Sequence, residues 1–224
     1  MTSLAAPDAE SSAIHSDRMD GNAFSTMINL SGRRRFTSQR LVLFAVLASL
    51  GRDGTLEEAQ NALLLFRGAH HTLLNGDARI PGLFCDQLKE AYFGPSRSQQ
   101  KIADFMELAE RALAAIGKGA RGAAGLLDEL VAAASSILPV LNQLTQLYEE
   151  LAQAHERRVK KQLNHTMANI ESIAKQARMV SFNAQIVAAR SGDAGREFSV
   201  VAAVLSEITG QIDDLVRQVV RHSA

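Results

Sequence analysis

The sequence predicts an all-α protein, an antiparallel helical bundle followed by a long coiled-coil helical hairpin, and three observations predict it. Only four prolines occur in 224 residues, and none follows Pro139. Beyond Pro139, glycine stands only at Gly192, Gly195 and Gly210. In a helix interior proline costs about 3 kcal/mol and glycine about 1 kcal/mol, so stretches without them allow long helices and their positions mark the stops. Third, apolar residues recur in steps of three and four along most of the chain, which is the helical period.

Composition narrows the function classes. Lys and Arg number 24 against 24 Asp and Glu, a balance that argues against coating nucleic acid or anionic lipid, which are met by basic excess. Cys85 is the sole cysteine, so neither an intrachain disulfide nor a thiolate zinc cage can form, and a reducing compartment is expected. The longest apolar stretch, residues 41–50 with Ser49 its one polar member, is about half the roughly 20 residues needed to cross a bilayer. Residues 1–22 lack the basic-then-apolar order of a signal peptide. They read as a disordered leader on a cytoplasmic protein with no membrane span.

Each helix follows from its own signals. The first is predicted at residues 23–50, stopped by Gly51 and Asp53-Gly54. The second starts at Thr55 as a cap, with Glu57 and Glu58 against the N-terminal dipole, and stops at Asn75-Gly76. A short helix fits residues 83–92, between Pro81-Gly82 and Gly94-Pro95. The next fits residues 98–116, with Ile102, Phe105, Met106, Ala109, Leu113 and Ile116 on one face. Four glycines make residues 117–125 a loop, and a short alanine-rich helix at 126–135 precedes Pro139, which suits the first turn or a kink of a longer helix. The organisation expected is a leader at 1–22, a bundle at 23–135 and a hairpin at 139–224 turning at 191–195.

In the hairpin, Leu141, Leu144, Tyr148 and Leu151 step by three and four, and Ile170, Ile173, Ala177, Val180, Ala184 and Val187 resume the pattern. After the Ser191 to Gly195 turn, Phe198, Val201, Leu205, Ile208, Ile212, Leu215 and Val219 continue it, as two coiled-coil arms would. At 1.5 Å per residue the outgoing arm measures roughly 75 Å and the return arm roughly 33 Å. The unpaired remainder would expose an apolar stripe, so a homodimer is expected.

The turn carries a resemblance. Ile173, Ala174, Gln176, Asn183, Ala184, Ala188, Ala189, Arg190, Gly192, Gly195, Arg196, Phe198, Val200, Val201 and Ala202 stand in the order and spacing of the hairpin tip of methyl-accepting chemotaxis proteins, which this segment resembles. The resemblance implies a dimeric signalling tip that docks a chemotaxis-type histidine kinase and its coupling adaptor, through Asn183, Arg190, Asp193, Arg196 and Phe198. Val187 and Val204 stand where the family has glutamates, and Lys175 where it has an apolar residue. The return arm ends short of the family's methylation segments, so adaptation by methylation is not expected.

A second resemblance lies in the first helix. Ile28, Asn29, Leu30, Gly32, Arg35, Ser38, Gln39 and Arg40 match the opening of the PilJ-type sensor domain of type IV pili chemotaxis transducers, to which residues 28–41 are similar. That resemblance implies a four-helix sensor whose first helix faces its copy across a dimer, with arginines binding an anion. Arg34, Arg35, Arg40 and Gly32 are the ligand-binding candidates. Physical chemistry agrees: a guanidinium presents a planar donor fork suited to oxyanions, and Gly32 would let a partner helix or ligand come close. The plainer reading is a solvated face, or pairs with Glu57, Glu58 and Asp104.

Other patterns carry less. The run from Gly117 to Gly122 fits G-x-G-x-x-G, yet no strand precedes it. His70 and His71 point about 100° apart on a helix and cannot chelate one metal, so ordinary surface or core histidines are expected. Cys85 reads as a small buried apolar residue. No catalytic triad, carboxylate pair or phosphate loop appears, so neither an enzyme nor a cofactor or metal protein is expected. Two function classes fit: a soluble sensory transducer relaying a small ligand, an anion by the arginine chemistry, and a non-sensory dimeric scaffold or adaptor using the same hairpin.

Overall fold

The computed structural model describes Met19 and residues 21–222, apart from the side chains of Asp193, Val220 and His222. The expected leader lies almost wholly outside the described residues. The elements are α1 (Gly21–Ser49), α2 (Thr55–Asn75), α3 (Asp86–Phe93), α4 (Ser98–Gly117), α5 (Ala123–Arg190), a 3₁₀ turn (Gly192–Gly195) and α6 (Arg196–His222). The fold is all-α, and among the described residues there is no strand. The chain forms two compact units, one ending at Ala154 and the other beginning at His155.

In the first unit α1 and α2 pack along each other, and α3, α4 and the first part of α5 complete the bundle. Met27, Leu30 and Leu41 of α1, Leu63, Phe66 and Leu73 of α2, Leu88 and Tyr92 of α3, Ile102 and Phe105 of α4, and Leu130, Leu141, Leu144 and Tyr148 of α5 form one core. Thr55 does not cap α2: Gly54 precedes the helix at φ 73°, and the Thr55 hydroxyl donates backwards to the Arg52 carbonyl at 2.6 Å.

Pro139 neither starts nor breaks a helix, since α5 runs through it without interruption. Ile137, Val140 and Leu141 are buried on both sides of it. Each is worth roughly 1.5–3 kcal/mol when buried, together more than the roughly 3 kcal/mol that an interior proline costs. The 3,4 steps at Leu141, Leu144 and Tyr148 therefore belong to the bundle core and not to a coiled-coil arm. A bundle face and a coiled-coil seam share this period, so spacing alone does not distinguish them. By length and composition α5 is also the one described helix long and apolar enough to cross a membrane. Polar residues scattered along it keep its uninterrupted apolar runs short, and a third of that apolar window is buried within the fold.

The second unit is a hairpin of residues 155–190 against α6, and its inner seam differs from the expected one. Ala174, Ser181 and Ala188 on the outgoing arm are buried, as are Gly195, Ala202, Thr209 and Val216 on the return side, each set spaced by seven. Small side chains at this spacing let the two backbones approach closely, and the Ser181 hydroxyl donates to the Ala202 carbonyl across the seam. Arg178 adds an ion pair to Asp213 at 2.6 Å and a bond to the Thr209 carbonyl at 3.3 Å. The larger stripe expected to close the hairpin, including Ile173, Val180, Val187, Phe198, Val201, Ile208 and Leu215, is instead exposed. Both stripes repeat every seven residues, and the smaller one takes the intrachain contact because it gives the shorter interhelical distance.

Candidate functional site

Successive residues on α1 point about 100° apart, and this separates the arginines. Arg33 is exposed, Arg34 fully buried, and Arg35 and Arg40 half-buried. Arg40 pairs with Glu58 at 2.5 Å and lies over the Phe44 ring, as the plainer reading expected. Arg35 donates from Nη1 to Asn142 Oδ1 at 3.3 Å. Gly32 sits beside Arg35, whose guanidinium would make ordinary contact with an added Cβ. The four residues singled out on this helix thus do not converge on one point within the chain.

Arg34 instead anchors a polar hub inside the bundle. Its Nη2 donates to Ser31 Oγ at 3.1 Å and its Nη1 to His70 Nδ1 at 3.2 Å. The guanidinium lies over the Tyr92 ring, 5.7 Å from the centroid. Ser31 Oγ is 2.9 Å from Thr145 Oγ1, and Thr145 donates to the Leu141 carbonyl at 2.8 Å. Since the Thr145 proton is committed there, Ser31 is the donor in the Ser31–Thr145 bond. The chain of donors runs from Arg34 through Ser31 and Thr145 to the backbone of α5. On the other branch, His70 Nδ1 accepts from Arg34, so Nε2 carries the proton and donates to Gln99 Oε1 at 2.8 Å. The Tyr92 and Tyr148 hydroxyls meet at 3.2 Å. Residues from all five bundle helices enter this hub.

Its electrostatics are unusual. Arg34 is 0% exposed yet forms no ion pair among the described residues. Its Nε is the one buried side-chain polar atom there without a partner. Burial, reinforced by the Arg34 charge and His71 and only partly opposed by the Gln99 bond, lowers the His70 pKa to about 4. The imidazole is therefore neutral, and the hub carries a lone positive charge. Burial also pushes the Tyr148 hydroxyl above its ordinary range.

Because the folded pKa of His70 lies below the unfolded value near 6.5, the unfolded state takes up a proton first as pH falls. Stability from this residue is complete above about pH 6.5 and is lost between there and about pH 4, by up to about 3 kcal/mol. Thermal unfolding of the chain at pH 7.5, 6, 5 and 4 is expected to show this decline. In His70→Gln that part of the decline disappears.

From the sequence His70 reads as an ordinary surface or core histidine, and the signal that separates the two is the spacing: Leu63, Phe66, His70 and Leu73 step by three, four and three, which sets His70 on the apolar face. Arg34 likewise falls seven residues from both Met27 and Leu41, each fully buried. Cys85 is half-buried, and burial pushes its thiol pKa up. At the tip, Asn183, Arg190, Arg196 and Phe198 are all exposed, and the Asp193 side chain lies outside the described residues.

No family model matches the chain and no solved structure matches it. Over 99 residues, 44% of its length, it is 31% identical to the methyl-accepting chemotaxis protein TlpQ of Pseudomonas aeruginosa, and the chain spans 13% of that protein's length. An all-α chain with an exposed apolar hairpin face is thus similar, over less than half of itself, to a small part of a chemotaxis receptor.

Proposed function

We propose that this chain is a non-catalytic chemoreceptor-type signalling protein of the cytoplasm. The bundle senses a small anionic ligand, and the hairpin, as a homodimer, relays its state to a chemotaxis-type histidine kinase and its coupling adaptor. The observation that carries this reading is the hairpin's exposed face of Ile173, Val180, Val187, Phe198, Val201, Ile208 and Leu215. It is too apolar and too continuous for a solvated surface and is shaped for a second helical pair. The partial likeness to a chemotaxis receptor supports the same reading. So does α1, where Asn29, Gly32, Phe36, Gln39, Leu43 and Val46 alternate by three and four, with Phe36 and Leu43 both exposed. A copy of α1 facing this stripe would bring the Arg35 residues of two chains near a shared axis.

Sedimentation equilibrium of the full chain is expected to give a dimer. Capture of the coupling adaptor is expected from the unmodified chain and is lost in Phe198→Asp, since a carboxylate on the apolar tip would have to be desolvated. Failure of the unmodified chain to capture it sinks the relay to the kinase. Val187 and Val204, exposed where the family has glutamates, favour a second reading in that event: a dimeric scaffold using the same hairpin without kinase contact.

A further inference from the structure

We propose that the Arg34 hub is a binding site for one small monovalent anion inside the bundle of a single chain, with Arg34 Nε the donor left open for it. This rests on the sensory reading above and deepens it, because it moves the ligand from a surface shared by two chains to an interior that one chain completes.

A guanidinium stays charged at every accessible pH, so burial cannot be relieved by losing the proton. Burying such a charge costs several kcal/mol unless a counter-charge compensates it. Arg34 has none among the described residues: its partners are the Ser31 hydroxyl, the neutral His70 ring and the face of Tyr92. Among the described residues only two of its five N–H groups have a partner, and Nε is buried without one. Nε and the adjacent Nη form a fork of parallel donors, which is the arrangement that holds an anion. The charge of the ligand follows from the balance. One anion neutralises the hub, whereas a dianion would replace a lone buried cation by a lone buried anion. Its size is limited because the guanidinium is fully buried and lies over the Tyr92 ring. Hydrogen bonds from Arg34 reach α1, α2 and, through Ser31, α5, so occupancy would favour one packing of these helices over another.

The test uses the full chain held at constant ionic strength in gluconate, an anion too large for the core, with gluconate exchanged stepwise for formate or chloride. The thermal midpoint of the bundle is expected to rise and follow a saturable dose curve. In Arg34→Met the midpoint in gluconate rises, because a buried lone charge has been replaced by an apolar chain of similar length, and the dose dependence vanishes. Arg34→Lys, which keeps the charge but not the fork, shifts the dose curve at least tenfold to higher concentration. Arg35→Ala leaves the curve in place. The inference is overturned if neither anion moves the midpoint, if Arg34→Met keeps the response, or if Arg35→Ala abolishes it. The outcome is separable from the signalling reading: adaptor capture without an anion response removes the interior site alone, and the reverse result removes the relay alone.

Discussion

Tyr148→Ala is expected to destabilise the bundle by about 3–5 kcal/mol, the range for removing a buried aromatic ring. Tyr148 is fully buried, and its hydroxyl is bonded to Tyr92 at 3.2 Å. Two losses combine within that range: the ring leaves a cavity that neighbouring helices fill only in part, and the Tyr92 hydroxyl loses its partner inside the core, which accounts for about 1–3 kcal/mol of the total. Tyr148→Phe isolates the second loss, since it keeps the ring. Phe93→Ala, next to Tyr92 in sequence but largely exposed, is expected to stay within about 0.5 kcal/mol of the parent. The measurement is favoured by composition. The chain has two tyrosines and no tryptophan, both tyrosines belong to the bundle core, and urea unfolding followed by tyrosine fluorescence therefore reports on the bundle without contribution from the hairpin. A Tyr148→Ala midpoint equal to that of Phe93→Ala would remove Tyr148 from the core's energetics.

The helices were legible in the sequence because their stops are chemical. Gly51, Gly76, Gly94 and Gly117 each stand at or just past the end of a helix, and local backbone preference decides such boundaries. What the helices pack against was less legible. Leu141, Leu144 and Tyr148 show the same steps as Ile208 and Leu215, yet the first three are buried and the last two exposed. Period reports that a face is apolar and is silent on what covers it. Pro139 shows the converse, a strong local signal overridden by burial on both flanks.

The candidate site divides along the same line. The cluster of arginines on α1 was visible as a cluster, but the chemistry of each depends on a turn of about 100° that separates it from its neighbour. Arg34 fell on the buried side, in line with Met27 and Leu41, and met a histidine from another helix. That meeting joins residues 36 positions apart, and no local pattern encodes it. The register of both residues on their own apolar faces was the signal available, and charge led the reading away from it.

Gly195→Ala is expected to open the tip of the hairpin, while Gly192→Ala in the same turn is expected to be mild. The two glycines belong to one motif, and their roles differ physically. Gly192 has φ 61° and open space around it, so a side chain there meets only left-handed backbone strain, roughly 1–2 kcal/mol. A Cβ on Gly195 would fall 2.0 Å from the Ala188 carbonyl oxygen and 2.7 Å from its carbon. Those are backbone atoms of the last turns of α5 and cannot rotate away as a side chain would. Relief requires separating the turn from α5 at the end of the small-residue seam where Ala188 and Gly195 sit, so the cost is expected at or above the top of the roughly 1–3 kcal/mol range for overpacking. Amide hydrogen exchange is the direct readout. In Gly195→Ala the amides around Ala188 and Ala202 should exchange faster by a factor of one hundred or so, as about 3 kcal/mol of local stability is lost, and those of the bundle should be unchanged. Equal protection in the two alanine variants would show that backbone strain, and not the close approach at Ala188, governs this turn.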